Sequence, residues 1–230
     1  MRDKDVLQEL GAVLRQHGML TRGSFTADAT DEALRELGAG TLILVGNAGA
    51  DLYRAFGNLR STEPNPLDAW TRRVMEPIAR RFGATALFPF GGPPYWPFQR
   101  WAMRAEGLKP SPLGILIHPE YGLWHAYRAA LLFPAVLDLP QVLARPHPCD
   151  TCAEKPCLAT CPVSAITPRA YDADKCARHV ASEEGADCRD FGCLARRACP
   201  IGRTRQYPAD AMAFHMAAFL AARRRNSHQD

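Results

Sequence analysis

A chain of 230 residues, 47% hydrophobic and 23% charged, can bury one good core with a smaller second module beside it. Its longest apolar stretch, residues 129–139, is interrupted by Pro134 and Asp138. That is far short of the roughly 20 residues a membrane span needs, so a soluble chain without a membrane partner is expected. The net charge is +4, and the basic residues are scattered except for Arg223, Arg224 and Arg225, which read as a solvated tail; no nucleic-acid surface is expected.

The start, MRDKDVLQEL, has no uninterrupted apolar stretch of the kind a signal peptide carries. Val6, Leu7, Leu10, Val13 and Leu14 recur at helical spacing instead, predicting an amphipathic helix over 3–17 that Gly18 ends. GTLILVGN (40–47) is a short β-rich run, and a second helix should follow from Asp51. Leu67, Trp70, Val74, Ile78 and Phe82 mark a longer helix that Pro77 should kink, and ATALF (84–88) reads as a strand.

The clearest local unit is LGILIHPEYGLWHAYRAALLF (113–133), in which two apolar runs flank His-Pro-Glu-Tyr-Gly. Pro119 presets φ and Gly122 can take φ > 0, so a hairpin is predicted. Residues 1–140 therefore read as an α+β domain rather than an alternating parallel array. The proline-punctuated stretch 140–150 reads as a linker, residues 141–207 as a cysteine module, and 208–230 as a C-terminal helix and basic tail, with Met212, Met216, Phe219 and Leu220 on one side of the helix.

Strand alternation would put Arg128 on the same face as Trp124, Ala126, Ala130 and Leu132, where a cation needs either a carboxylate of the protein or an anionic ligand. FPFGGPPYWPF (88–98) joins Gly91 and Gly92 to four prolines and five aromatics, including Tyr95 and Trp96. Such a stiff loop either fills core space or lies against a planar cofactor. GNAGAD (46–51) has only part of a phosphate-binding pattern and reads as an ordinary strand-to-helix loop. His118 and His125 have no partner at metal-ligand spacing and read as structural histidines.

All eight cysteines lie between Cys149 and Cys199. Cys149, Cys152, Cys157 and Cys161 form C-x2-C-x4-C-x3-C followed by Pro162; Cys176, Cys188, Cys193 and Cys199 form a looser quartet followed by Pro200. Four-cysteine zinc sites more often use two separated pairs, and disulfides suit small secreted chains. The pattern resembles that of two-cluster bacterial ferredoxins, in which the fourth cysteine of each run ligates the other cluster. That resemblance assigns Cys149, Cys152, Cys157 and Cys199 to one 4Fe-4S cluster and Cys161, Cys176, Cys188 and Cys193 to the second.

GNAGADL, then PNPLDAWTRRVMEPIARRFGA, the double glycine and above all IHPEYGLWHAYRAALLFP resemble the cobalamin-processing chaperones of the CblC type, over residues 44–134. The hairpin motif followed by DLP and the cysteine runs, residues 106–202, is also similar to epoxyqueuosine reductase, a cobalamin-dependent enzyme with two 4Fe-4S clusters. These resemblances imply a nitroreductase-like α+β domain, with a mainly antiparallel sheet, joined to a ferredoxin-like module. They also imply cobalamin bound base-off, at a site including Gly91, Gly92, Tyr95, Trp96, His118, Tyr121, Gly122, Trp124 and Arg128. In the CblC type an arginine after the hairpin helps hold a thiol co-substrate, and Arg128 in W-x-A-x-R matches it. FPFGGPP stands where epoxyqueuosine reductases carry a valine-aspartate segment whose aspartate donates a proton, and the sequence stops at Asp230 without their helical-repeat extension, so activity on that nucleoside is not expected.

The expected protein is a cytoplasmic oxidoreductase of the cobalamin reductase or decyanase-dealkylase type. Two clusters would pass electrons to a corrinoid and remove its upper ligand, with a flavodoxin or ferredoxin reductase as electron donor. A ferredoxin-type carrier without corrinoid, and a cobalamin-dependent reductase of an organic substrate, are the alternatives.

Overall fold

In the computed structural model, which describes residues 3–28, 31–57, 62–139 and 145–226, the chain divides into two units. The first comprises residues 1–108 and 125–145, the second residues 109–124 and 146–230. This differs from a single boundary near residue 140, because residues 109–124 leave the α+β unit and join the cysteines. Residues 140–144 of the expected linker lie outside the described residues.

The first unit runs α1 (Asp3–Arg15), β1 (Leu20–Ala27), a 3-10 turn (Glu32–Leu37), β2 (Gly40–Ala48), α2 (Asp51–Phe56), α3 (Pro66–Arg81), β3 (Thr85–Leu87) and α4 (Phe98–Glu106). Two short strands of the second unit, β4 (Lys109–Pro110) and β5 (Leu116–Ile117), come next, and β6 (His125–Phe133) then returns to the first. Its sheet has the order β1-β2-β6-β3 with every pair antiparallel. β2 is buried at every residue, which is why its sequence is a continuous apolar run rather than an alternating one. Helices α1 and α4 pack on β1, and α3, which runs on through Pro77, packs on β3 and β6.

Two β-bulges interrupt the sheet. Thr21 pairs with Val45 and Ser24 with Ile43, so Arg22 and Gly23 together face the single residue Leu44. On β6, Ala129 pairs with Val45 and Tyr127 with Gly46, so Arg128 is the extra residue. A bulge re-aims the side chain it carries. The one-face set expected from alternation, with Arg128 beside Trp124, Ala126, Ala130 and Leu132, therefore does not hold, and Trp124 lies outside the strand.

The hairpin expected over 113–133 also differs. β5 pairs with β4, Lys109 opposite Ile117 and Pro110 opposite Leu116, whereas β6 pairs with β2 and β3. What remains is a closed turn in which His118 and Gly122 exchange two backbone hydrogen bonds of 2.9 Å, with Gly122 at φ +58°. The physical reason is burial: Ala129–Phe133 are all buried in the sheet, a larger apolar gain than a two-residue strand can offer.

The second unit continues with α5 (Pro156–Ala159), α6 (Ala173–Ala181), α7 (Ala186–Phe191), α8 (Leu194–Arg197) and α9 (Ala209–Asn226). α9 packs on α6 and α7, and Met212 lies so close to Gly192 that a β-carbon there would come within 2.9 Å of the Met212 side chain. Arg223, read from sequence as part of a solvated tail, pairs with Asp174 on α6. No helix among the described residues is long and apolar enough to cross a membrane.

Candidate metal-cluster and cofactor site

The cysteine thiols gather into two neighbourhoods. Cys149, Cys152, Cys157 and Cys199 line one small pocket, partly open to solvent. Its apolar wall is built from Ile117, Leu123 and Cys199, with Leu113, Cys149 and Ile201 packed against them. The turn 118–122 sets that wall in place by backbone contact. A β-carbon on Gly122 would meet the Ile201 carbonyl oxygen at 2.0 Å, and one on Gly202 would meet the Tyr121 carbonyl carbon at 2.3 Å. Two glycines thus let the turn press against the chain just past Cys199-Pro200.

Burial, then the charges of Cys199, Cys157 and Cys152, push the Cys149 thiol up to about 11, with Lys155 opposing. Burial likewise raises Cys157, with Cys199 and Cys152 adding to it and backbone N–H groups of Cys157 and Leu158 opposing. Cys199 is raised by burial, opposed by the Ile201 N–H, then raised further by Cys152.

The second neighbourhood holds the other four. Burial raises Cys176, a hydrogen bond from Tyr171 opposes, and the charges of Cys161 and Cys188 add. Cys193 is raised by burial, opposed by the N–H groups of Arg196 and Ala195, and raised by Cys188 and Cys176. The Ala165 N–H lies 3.3 Å from Cys161 Sγ. All eight thiols are unpaired as disulfides.

These residues suit an iron-sulfur cluster on the chemistry of the donors. Four soft sulfur ligands per neighbourhood match a 4Fe-4S group, and the N–H groups aimed at sulfur stabilise thiolate and cluster charge. Among the described residues, no group of three His, Cys, Asp or Glu side chains is placed to hold a single metal ion.

The sequence-predicted corrinoid residues are divided between the units. In the first, Tyr95 is 67% exposed, Gly91 is exposed, and Gly92 sits at φ +99° with open space where a β-carbon would lie. Trp96 stacks on Trp101 at 5.8 Å, and Arg72 lies 4.6 Å over Phe88. The loop 88–98 thus anchors one part in the core and presents another. Arg128, with its side chain 12% exposed, contacts Asn47 Oδ1 at 3.5 Å and Asp68 at 4.0 Å, both at the outer limit for such contacts.

In the second unit, Trp124 is buried and meets Tyr207 edge-on at 5.5 Å, with the Arg196 guanidinium 4.5 Å above its ring. His118 stacks on Tyr121 at 4.1 Å, and its Nδ1 accepts from the N–H groups of Glu120 (3.0 Å) and Tyr121 (3.1 Å). His118, Tyr121, Gly122 and Trp124 therefore all take part in forming or bracing the turn beside the first thiol pocket.

Neither a protein-family model nor a curated protein sequence matches this chain. Solved structures do share its fold. The B12-trafficking protein CblC of C. elegans superposes with a TM-score of 0.51 at 16% identity, covering 93% of this chain and 92% of that one. An epoxyqueuosine reductase in complex with a modified tRNA-Tyr stem loop gives 0.53 at 14% identity, covering 90% and 68%. The Bacillus subtilis epoxyqueuosine reductase gives 0.55 at 13%, covering 90% and 69%. Both families suggested by the sequence motifs are thus among the structural neighbours, and the mixed α+β unit with its antiparallel sheet is consistent with the nitroreductase-like fold expected.

Sequence reading missed a buried polar network in the first unit. Arg22 donates from Nη2 to Glu106 Oε2 at 2.8 Å, with the two side chains only 2% and 7% exposed. The Tyr127 hydroxyl donates to Glu106 Oε1 at 2.8 Å, and Arg22 Nη1 lies 3.3 Å from His125 Nδ1. Burial, the first cause, and Glu106 hold the Tyr127 phenol far above its usual range. Because a guanidinium only donates, His125 Nδ1 is an acceptor here. Arg196 was missed as well: its backbone N–H serves Cys193 and its Nε donates to the Leu123 carbonyl at 3.2 Å, tying the second thiol set to the wall of the first.

Proposed function

We propose that this protein is a cobalamin-binding iron-sulfur oxidoreductase that reduces a bound corrinoid in cobalamin processing. The observation that carries the reading is the sorting of eight thiols into two sets of four. Cys149, Cys152, Cys157 and Cys199 would hold one 4Fe-4S cluster, and Cys161, Cys176, Cys188 and Cys193 the other. When bound, the clusters supply one-electron carriers and the corrinoid supplies a reducible cobalt whose upper ligand is lost on reduction. The fold shared with a B12-trafficking protein and with epoxyqueuosine reductases supports this pairing of groups.

The chain's own residues have defined tasks in this reading. Backbone N–H groups of Leu158, Ala165, Ala195, Arg196 and Ile201 support thiolate charge. Gly91 and Gly92 leave room beside Tyr95 and Trp96 for a flat ligand, and Arg128 offers a cation to an anionic or thiol co-substrate. His118 and His125 direct Nδ1 to internal donors, which favours a base-off corrinoid without a histidine in place of the displaced base. A flavodoxin or ferredoxin reductase would supply electrons.

Protein purified without oxygen should carry about eight iron atoms per chain. Added cobalamin should shift to the base-off visible spectrum, with His118→Ala and His125→Ala each retaining the shift. Stoichiometric zinc without iron, or no spectral change with cobalamin in large excess, would overturn the reading.

A further inference from the structure

Positive charge gathers on one face of the second unit, beside the second set of thiols. The last turn of α9 lies against the first turn of α6, joined by the ion pair of Arg223 with Asp174. Around that contact Arg169, Lys175, Arg178, Arg224 and Arg225 are all exposed, and none has a carboxylate partner among the described residues. The two carboxylates of the same segments are already committed, Asp174 to Arg223 and Asp172 to the Lys175 N–H, which it accepts at 2.8 Å. Six cations against two carboxylates give this face a charge equal to the +4 of the whole chain. Lys175 and Arg178 are three residues apart on α6, a spacing at which like charges repel. The helix dipole accounts for the arginines in the last turn of α9 but not for Lys175, which stands in the first turn of α6. The same helix carries Cys176, partly exposed, so the charged face borders a thiol of the second set that solvent reaches.

We propose that this face docks an acidic one-electron donor protein of the ferredoxin or flavodoxin class, and that electrons enter through the second cluster. The inference rests on the two-cluster reading above and deepens it by naming the point of entry. One electron leaves the reduced centre of the donor and arrives on the second cluster; no bond forms or breaks. A potential of one sign on such a face speeds encounter with a partner of opposite sign and fixes its orientation, and salt screens the effect. Nucleic acid is the other polyanion a basic face can hold. Its position beside a partly exposed cysteine of a redox set, where an arriving electron has the least protein to cross, favours the electron donor.

The test is anaerobic stopped-flow reduction of the reconstituted full chain by an acidic plant-type 2Fe-2S ferredoxin, itself reduced beforehand. The second-order rate should fall about tenfold or more between about 0.02 and about 0.5 M salt. At low salt, Lys175→Glu with Arg178→Glu should slow it about tenfold, with iron content and the final extent of reduction by dithionite unchanged. Arg224→Glu with Arg225→Glu, on the other helix, should slow it as well, which keeps the test sound if the α6 variant misfolds. Arg15→Glu with Arg35→Glu makes the same change of net charge on exposed residues of the first unit and should leave the rate within about twofold of the parent. A rate unaffected by either second-unit pair, or slowed equally by the first-unit pair, overturns the proposal. So does loss of binding to a tRNA stem loop in the second-unit variants with ferredoxin reduction intact. A chain that binds no iron fails the underlying reading instead.

Discussion

Arg22 and Arg128 both sit at β-bulges flanking the central strand β2, yet they end in different states. Arg22 meets Glu106 at 2.8 Å, with Tyr127 and His125 completing the shell around the pair. Arg128 reaches Asp68 only at 4.0 Å and Asn47 at 3.5 Å. A guanidinium placed by a bulge is thus built into the fold in one case and loosely held in the other. The difference separates a charge locked into a buried pair from one held only by contacts at the limit of hydrogen-bond and ion-pair range.

The largest effect should come from breaking the tight pair. Glu106→Gln leaves the Arg22 charge buried without its carboxylate and should lower stability by about 3–5 kcal/mol in urea unfolding. Replacing both residues by apolar ones of similar volume should recover most of that loss, because the cost lies in the stranded charge. Arg128→Ala should behave in the opposite way, changing stability by about 1 kcal/mol or less while slowing thiol- or anion-dependent turnover about tenfold in steady-state assays and weakening corrinoid binding less. A stability loss at Arg128 as large as that at Glu106 would erase the distinction.

The smallest effect is a slope. Burial raises the Asp68 carboxyl above its ordinary 3.8, and Arg128 pulls it partly back. The native state therefore keeps this proton to higher pH than the unfolded chain does. The stabilisation is complete below the ordinary value and is lost as pH rises through the raised one. Asp68→Asn should flatten that part of the stability profile, seen by comparing unfolding midpoints between about pH 4 and about pH 6.

What sequence made legible was whatever is local. Helix spacing located α1, α3 and α9, the apolar run located β2, and the two cysteine quartets stood out because their members are close neighbours in the chain. β1 escaped notice because LTRGSFTA is largely polar and its alternation is broken where Arg22 and Gly23 share one partner. His-Pro-Glu-Tyr-Gly announced a turn correctly, but turn chemistry does not say which strands will pair beyond it. Burial decided that, sending 125–133 into the sheet and leaving 116–117 to β4. The Arg22–Glu106 pair and the fit of Gly122 against Ile201 join residues far apart in the chain, where no spacing rule reaches.

The interleaving of the two units sets an order of events during synthesis. β3 has no partner in the sheet until β6 has left the ribosome, and β6 is made only after the turn 118–122 that belongs to the other unit. That turn in turn waits for Ile201 and Gly202, the last residues to close the wall beside Cys199. The first thiol pocket can therefore close only after Cys199 and the residues that follow it to Gly202 have been made. Nor can the cysteine-bearing part be exchanged between proteins as a cassette, since excising residues 146–230 would leave its wall behind.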